Sequence, residues 1–462
     1  MSKSRHAVLL LGITGASCQS YAPAPVDLSE HARQFAARLP DDAALSAFVD
    51  ALRASSAHAP PAAAVFGTVE DGVQREEARW IALHLNPDLA IARLEAGVAA
   101  ASAENAGLLD DPSLNGSVGR VLESTSTPWL LAASIGFTLP LSGRLGLEED
   151  LADERFVLAR TEARLAEART LDEVDRAWVR WSAGRLRSAI LGDLLLALRD
   201  LESIAQRLAD VGALTRIEAR VFSMERLSRV AESIRVKAEV ATSELELKRW
   251  LGLPPASALS FDPSLVVPDL VADAEARRTR LRGGRAIVRA ERAHLVAERD
   301  LELEVAEQWP DLALYPGWQD EDGQSRGVLG FSLPLPLWNA NARAIAEARA
   351  RRLVAEQVLR SALERSLQDL ALSEVRVEAA REQRRLVESE LIPSAEEQLA
   401  RGRALTDLGQ LDVLLILDAV LRVYEAKSVA LDAAVLEGLA TIERNALYWP
   451  EVLAPITREE RR

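Results

Sequence analysis

The chain has 462 residues, 48% of them hydrophobic but only 5% aromatic, which is the composition of long helices packed through small side chains. A net charge of -15 argues against a nucleic-acid partner, and the basic run Arg277-Arg278-Thr279-Arg280-Leu281-Arg282 reads as a solvated face or linker. Five scattered histidines (His6, His31, His58, His84, His294), with no nucleophile–base spacing, Gly-rich phosphate loop or Cys/His cluster, give no support to an enzyme, a cofactor or a metal site.

In chain order, Lys3 and Arg5 precede a short apolar run from Ala7 to Ile13, then Gly15, Ala16, Ser17 and Cys18, the sole cysteine. The run is too short to span a bilayer and resembles a bacterial lipoprotein signal. Gly15 departs from that pattern, in which a branched residue is usual three positions before the cysteine. The resemblance implies a signal peptide over 1–17, lipidation of Cys18 and an N-terminus anchored in outer-membrane lipid, with Gln19 after it fitting that destination. Tyr21-Ala22-Pro23-Ala24-Pro25 reads as an extended tether, and short helical patterns over Leu28–Leu39 and Asp42–Ala54 complete a peripheral extension over 18–79.

Two halves follow, expected over 80–255 and 283–450, with a linker over 256–282 and a tail over 451–462. Asp111-Pro112-Ser113-Leu114, Phe137-Thr138-Leu139-Pro140-Leu141 and Gly212 return as Trp309-Pro310-Asp311-Leu312, Phe331-Ser332-Leu333-Pro334-Leu335 and Gly409. The three landmarks keep their order at separations of about 194–198 residues, which marks a tandem repeat. Asn86-Pro87 caps a helix expected to run about 22 residues to Leu109.

Each half then reads as two alternating strands. Leu114, Gly116 and Val118 share one face, against Ser113, Asn115, Ser117 and Gly119 on the other. Leu131, Ala133, Ile135, Phe137, Leu139 and Leu141 oppose Ala132, Ser134, Gly136 and Thr138. The second half repeats this with Leu312, Leu314 and Trp318, then Leu329, Phe331, Leu333 and Leu335. Segments of this length and period suit membrane-spanning strands, apolar outward and small or polar inward. Trp129 and Trp318 are expected near the turns between paired strands, with Trp309 and Trp338 at the helix-side ends, as interface aromatics. Four strands cannot close a barrel, so spanning demands an oligomer.

From Gly143 to about Asp210, and from Asn339 to about Ala404 with Pro393 the one visible break, the pattern predicts helices of roughly 65 residues, about 100 Å each. Gly212 and Gly409 turn the chain into shorter helices, Thr215–Gly252 and Leu411–Tyr448, and the remaining helix of each half is expected to stack end to end on the shorter one. Leu151, Leu158, Leu165, Leu191, Leu194, Leu195 and Leu198, and on the last helix Leu411, Leu414, Leu415, Leu421, Val429 and Ala433, are expected as coiled-coil packing stripes.

With Asn86-Pro87-Asp88-Leu89, the Phe-x-Leu-Pro-Leu strand ends and Gly409-Gln410-Leu411-Asp412-Val413-Leu414-Leu415-Ile416-Leu417-Asp418, the chain resembles the TolC family of outer-membrane efflux proteins from about Trp80 to Leu447. The resemblance implies a mainly α fold with β strands and a homotrimer. Four strands per protomer would build a twelve-stranded transmembrane barrel, and antiparallel coiled-coil helices a periplasmic tunnel docking on an adaptor and an inner-membrane pump. It also implies a periplasmic constriction at the Gly turns. Asp418 falls on one usual acidic position, Leu415 stands at the other, and Leu411 and Thr406 replace the usual arginine and tyrosine of the closed state. Glu218, as far past Gly212 as Leu415 is past Gly409, is the second candidate for an acidic ring favouring cations. The alternative is a coiled-coil periplasmic adaptor or scaffold without a pore, its hairpins forming small soluble sheets.

Overall fold

The computed structural model describes residues 21–39, 72–122, 129–321, 324–407 and 412–450. Cys18, Gly409, the helix expected over 42–54 and the tail over 451–462 lie outside them. Helix α1 (Leu28–Ala36) is capped by Asp27, whose carboxylate accepts from the Ser29 and Glu30 N–H groups. Beyond it Arg38 donates to the carbonyls of Leu85 and Gly252, tying the N-terminal segment to the first repeat.

Helix α2 (Arg75–Leu85) corrects the boundary drawn at residue 80, which falls inside it. Ala78, Trp80, Ile81, Ala82 and Leu83 are buried, so the packed unit includes the whole of this helix and Val73 before it; its eleven residues carry an apolar face that needs a partner. Asn86 then caps α3 (Pro87–Glu104), accepting from the N–H groups of Asp88 and Leu89. That helix stops short of the expected Leu109. Gly107 adopts φ +69, and a Cβ there would meet the Leu145 carbonyl at 2.6 Å, so the chain turns where only glycine fits.

Strands β1 (Ser113–Arg120) and β2 (Trp129–Leu139) form the first hairpin, and β3 (Leu312–Glu321) and β4 (Gln324–Ser332) the second. All pair antiparallel in the order β1-β2-β3-β4, so the repeats join through β2 and β3. The strands end at Leu139 and Ser332 rather than Leu141 and Leu335, because Pro140 and Pro334 have no N–H to extend the ladder. Both return to helix through a left-handed residue, Gly143 (φ +74) and Asn341 (φ +55); the Asn341 amide is held by the Glu304 carboxylate and carbonyl. Arg144 fastens the junction: it donates to Asp311 of the second repeat at 3.1 Å and to Glu148 at 2.5 Å, and pairs with Asp110 at 3.5 Å.

Helix α4 (Arg144–Asp210) runs 67 residues, about 100 Å, and α5 (Arg216–Trp250) returns along it. In the second repeat the long helix is interrupted next to the expected break at Pro393, into α8 (Ala342–Leu386), a π-helical turn at Val387–Leu391 and α9 (Ile392–Asp407). Pro393 lacks an N–H and its ring would clash in a regular turn, and the wider turn lies directly before it. Helix α10 (Val413–Asn445) completes that pair, and α6 (Ala274–Leu281) and α7 (Arg285–Ala306) precede β3.

End-to-end stacking of the shorter helices is present in both repeats. Asn86 at the start of α3 donates to the Trp250 carbonyl at the end of α5. Arg285 at the start of α7 donates to the carbonyls of Leu447 and Tyr448 just past α10, and its guanidinium grips Asp172 of α4 with two hydrogen bonds. The core runs along α4, where Trp178 and Trp181 meet Phe261 edge to face. The residues 256–282 expected as a linker are thus built into the fold: Phe261 bridges to Val73, and Asp269 is clasped by Arg381 and Arg444. Asp269 feels partial burial first, which raises its pKa, but the two arginines outweigh it and hold the carboxyl below the usual range.

On α10 the expected packing stripe holds only in part. Ala433 is buried and Leu421 packs on the core, but Leu414, Leu415 and Val429 are exposed, Val413, Ile416, Leu417, Val420 and Tyr424 are buried instead, and Leu411 lies outside the described residues. In Val-Leu-Leu-Ile-Leu every side of the turn is apolar, so periodicity cannot choose the face.

Gly252 joins these elements: it has φ +72, closes α5 and packs on the Leu85–Asn86 backbone. Gly252→Ala is expected to cost about 1–3 kcal/mol from backbone strain alone. Lower midpoints in thermal and denaturant unfolding of the full chain check it.

Candidate functional site

The register divides the sheet into two unlike faces. One carries Leu114 and Val118 of β1, Leu131, Ile135, Phe137 and Leu139 of β2, Leu312, Leu314 and Trp318 of β3, and Leu329 and Phe331 of β4. The β2 residues of this face are all exposed, as are Leu329 (70%) and Phe331 (75%), and no helix among the described residues covers them. From Leu131 to Leu139 the band is about 26 Å long at 3.3 Å per residue. That matches the apolar belt of a membrane barrel.

The other face carries Ser113, Asn115, Ser117, Ala132, Ser134, Gly136, Thr138, Gly317, Gln319, Gly330 and Ser332, with Tyr315 among them. It is concave, with a hollow of about 400 Å³ lined mostly by residues of this face, Asn115, Ser117, Ala132, Ser134, Tyr315, Val328 and Gly330, and also by Gly116, Ala133, Trp318 and Leu329 at the alternate positions of the strands. Glycine at 317 is required: a Cβ there would lie 2.6 Å from the Ala133 carbonyl and 2.7 Å from the Ser134 Cβ. Glu321 and Arg326, 3.5 Å apart, put the charge of this face at the end remote from the helices.

Of the four tryptophans expected as interface aromatics, Trp129 tops β2 with Arg120 over its ring at 5.6 Å. Trp318 lies on the outward face but level with Ala133, four residues or about 13 Å nearer the helices. Trp309 and Trp338, 64% and 93% exposed, flank the helix-side end just before β3 and after β4.

At the opposite pole, Gly212 takes φ +75 in the α4–α5 turn, and the Ala213 and Leu214 N–H groups both return to the Leu208 carbonyl. Glu218 is engaged locally. Its carboxylate accepts from the Thr215 N–H at 2.8 Å and hydroxyl at 2.7 Å, while that hydroxyl accepts from the Glu218 N–H. The Thr215 hydroxyl, then its backbone N–H, holds the Glu218 pKa below the ordinary value. Asp418 accepts from Arg422 at 2.8 Å, both half exposed. Each candidate carboxylate therefore has a partner within its own helix start or turn.

The sequence reading missed the contact that links α5 to α10 here. The Tyr424 hydroxyl donates to Glu232 at 2.9 Å, Arg229 donates to Glu232 at 2.9 Å and to Glu225 at 2.7 Å, and the Arg229 guanidinium lies 5.3 Å from the Tyr424 ring centre. In the sequence Tyr424 is one more position of a helical pattern, and its partner lies 192 residues away. Partial burial pushes the Glu232 pKa up, but hydrogen bonds from Arg229 and Tyr424 and the charges of Arg229 and Arg235 bring it below the ordinary 4.5.

Among the described residues no helix is long and apolar enough to cross a membrane, and no group of three or more His, Cys, Asp or Glu could hold a metal ion.

The contribution of Glu232 is complete above pH 4.5 and is lost as pH falls through its lower folded pKa. Tyr424→Phe is expected to lower the unfolding free energy by about 0.5–1.5 kcal/mol near pH 7, and the gap from the unaltered chain should narrow in acid. Denaturant unfolding at the two pH values checks both.

No protein-family model and no curated protein sequence matches the chain. Solved structures do match in fold. The outer membrane protein VceC of Vibrio cholerae is 17% identical, with 81% of this chain and 97% of that one covered at a TM-score of 0.68. The open state of the Neisseria gonorrhoeae MtrE outer membrane channel is 18% identical, with 81% and 88% covered at 0.68. The Campylobacter jejuni CmeC outer membrane channel is 14% identical, with 85% and 91% covered at 0.66. The chain has the fold they share, mainly α with a four-stranded antiparallel sheet, the TolC-like fold.

Proposed function

We propose that the chain is the outer-membrane duct of a tripartite efflux or type I secretion system, passing substrates handed over by an inner-membrane pump and a periplasmic adaptor. One observation carries the reading: among the described residues the sheet is apolar and uncovered on one face, small and polar on its concave face, and unpaired at both edges. A soluble scaffold would bury the apolar face instead. In lipid, unpaired edges are excluded, so β1 of one copy pairs with β4 of the next until the sheet closes. Two copies would give eight strands, a barrel filled by its own inward side chains. Gly, Ser and Ala along this wall cannot fill one, which favours the homotrimer with twelve strands that the family resemblance implies.

The helices support the same ring. The repeats meet through α4 and α10, leaving apolar stripes uncovered on α5 (Ile217, Met224, Leu227, Ile234) and α8 (Leu353, Val358, Leu367, Val375). Neighbouring copies would cover these, closing a tunnel across the periplasm. Lipidation at Cys18 would hold the N-terminus in the outer membrane, and Trp129, Trp309, Trp318 and Trp338 would sit toward the membrane interfaces. Gly212 and Gly409 would turn the helices at the periplasmic tip. There Glu218 and Asp418, each repeated in the trimer, would form an acidic constriction favouring cations, with Thr215 and Arg422 as their local partners.

The test is planar-bilayer conductance of the detergent-purified full-length protein with its oligomeric mass; a conducting trimer is expected, and a water-soluble, silent monomer would overturn the duct. Leu329→Arg, in the middle of the apolar band, is expected to cost the inserted state about 2–4 kcal/mol per protomer and reduce heat-resistant oligomer on gels. On a soluble surface it would be harmless. Replacing both Glu218 and Asp418 by Ala is expected to reduce single-channel cation selectivity, read from reversal potentials in a salt gradient.

A further inference from the structure

On the concave face of the sheet, Tyr315 is the single aromatic residue among the described strands. Its neighbours across the sheet are glycines on both sides. Gly330 pairs with it on β4, and the register of β2 sets Gly136 opposite it, with Ser113 next in the row on β1. The ring shares that space with the Ser113 hydroxyl: a Cβ at Gly136 would lie 2.5 Å from Ser113 Oγ, 2.9 Å from Tyr315 Cε1 and 3.1 Å from Cδ1, and one at Gly330 would lie 3.5 Å from Tyr315 Cβ. The ring is therefore laid over the Gly136 backbone, along the wall. Gly136 has no positive φ, so its lack of a side chain serves the Tyr315 ring and the small Ser113 side chain on its other flank rather than a backbone turn.

We propose that Tyr315 sets the width of the passage through the strands, and that Gly136 keeps it open by letting the ring lie flat; the inference rests on the duct reading. A side chain at 136 would displace the ring from the wall toward the middle, three times over in a trimer. Charge has little part at this level. The nearest charged pair on the face, Glu321 and Arg326, lies beyond it toward the helix-remote rim and is mutually neutralising. The discrimination expected is by size.

Thr138 lies on the same face two residues past Gly136 toward the helices, so a reagent entering from the helix-remote rim passes Tyr315 first. The experiment places a cysteine there, Thr138→Cys, in the full chain in intact cells. Polyethylene-glycol maleimides of graded size are added outside, with labelling of the chain lacking this substitution subtracted. Gly136→Val is expected to slow labelling by the largest reagent that passes the unaltered wall by at least about threefold, and Tyr315→Ala to admit a larger one. Adding Tyr315→Ala to Gly136→Val should abolish the slowing, and Gly327→Val, with no atom within 4 Å of the added Cβ, should leave the cut-off unchanged. An unchanged cut-off in both the Gly136→Val and Tyr315→Ala proteins, still oligomeric, overturns the inference and leaves the duct standing. Should Gly136→Val fail to assemble, Tyr315→Ala alone decides. Failure of the smallest reagent to label Thr138→Cys in the oligomer overturns both.

Discussion

The unpaired edge of a β-sheet governs this structure. β1 and β4 each present an edge of backbone N–H and C=O groups that no other strand among the described residues pairs with, beside an outward face of leucine, isoleucine and phenylalanine. Water could satisfy the edges but not the face, and lipid the face but not the edges. Closure with further copies satisfies both. In the proposed assembly the rest of the chain exists to present this sheet at one end of a long helical body.

That presentation relies on a few polar contacts at element junctions. Arg144 joins the first repeat to Asp311 of the second where strand becomes helix, and Arg285 joins α7, α4 and the end of α10. These are charge-assisted hydrogen bonds at partly or largely buried sites, where losing one partner strands the other. The many i,i+4 pairs along the exposed helix faces, Arg343–Glu347 and Arg401–Glu397 among them, contribute little each. Thus the direction of the long helices is set near the sheet, while their length is carried by packed leucine and alanine.

At the far end, local and long-range electrostatics compete for the same side chains. Glu218 serves the start of α5 and Asp418 pairs within its own turn, whereas Glu232 reaches across to Tyr424 on another helix. Only the last fastens two helices together. Ion pairs within one helix leave the rod free to move as a unit, while the Tyr424–Glu232 bond resists separation of α5 from α10. The π-helical turn at Val387–Leu391 places a further irregularity on the second repeat alone, so the two halves, alike in plan, differ in their mechanical detail.

How much was legible from the sequence follows the range of the interactions. Strand faces, the Asn86 cap, the turn at Gly212 and the long helices depend on neighbours within a few residues or on strict periods of 2 and 3.6, and residue order alone determined them. The duplicated landmarks likewise announced two repeats. Only the tertiary structure decided which side of α10 packs, because a turn apolar all round carries no phase. It also decided that Arg75–Leu85 and the 256–282 segment belong to the body, since their anchors, Asp175, Trp178 and Arg444, are remote in the chain. The position of Tyr315 over Gly136 is of the same kind: the alternation placed each residue on its face, but the pairing of β2 with β3 that brings them together is a contact between repeats.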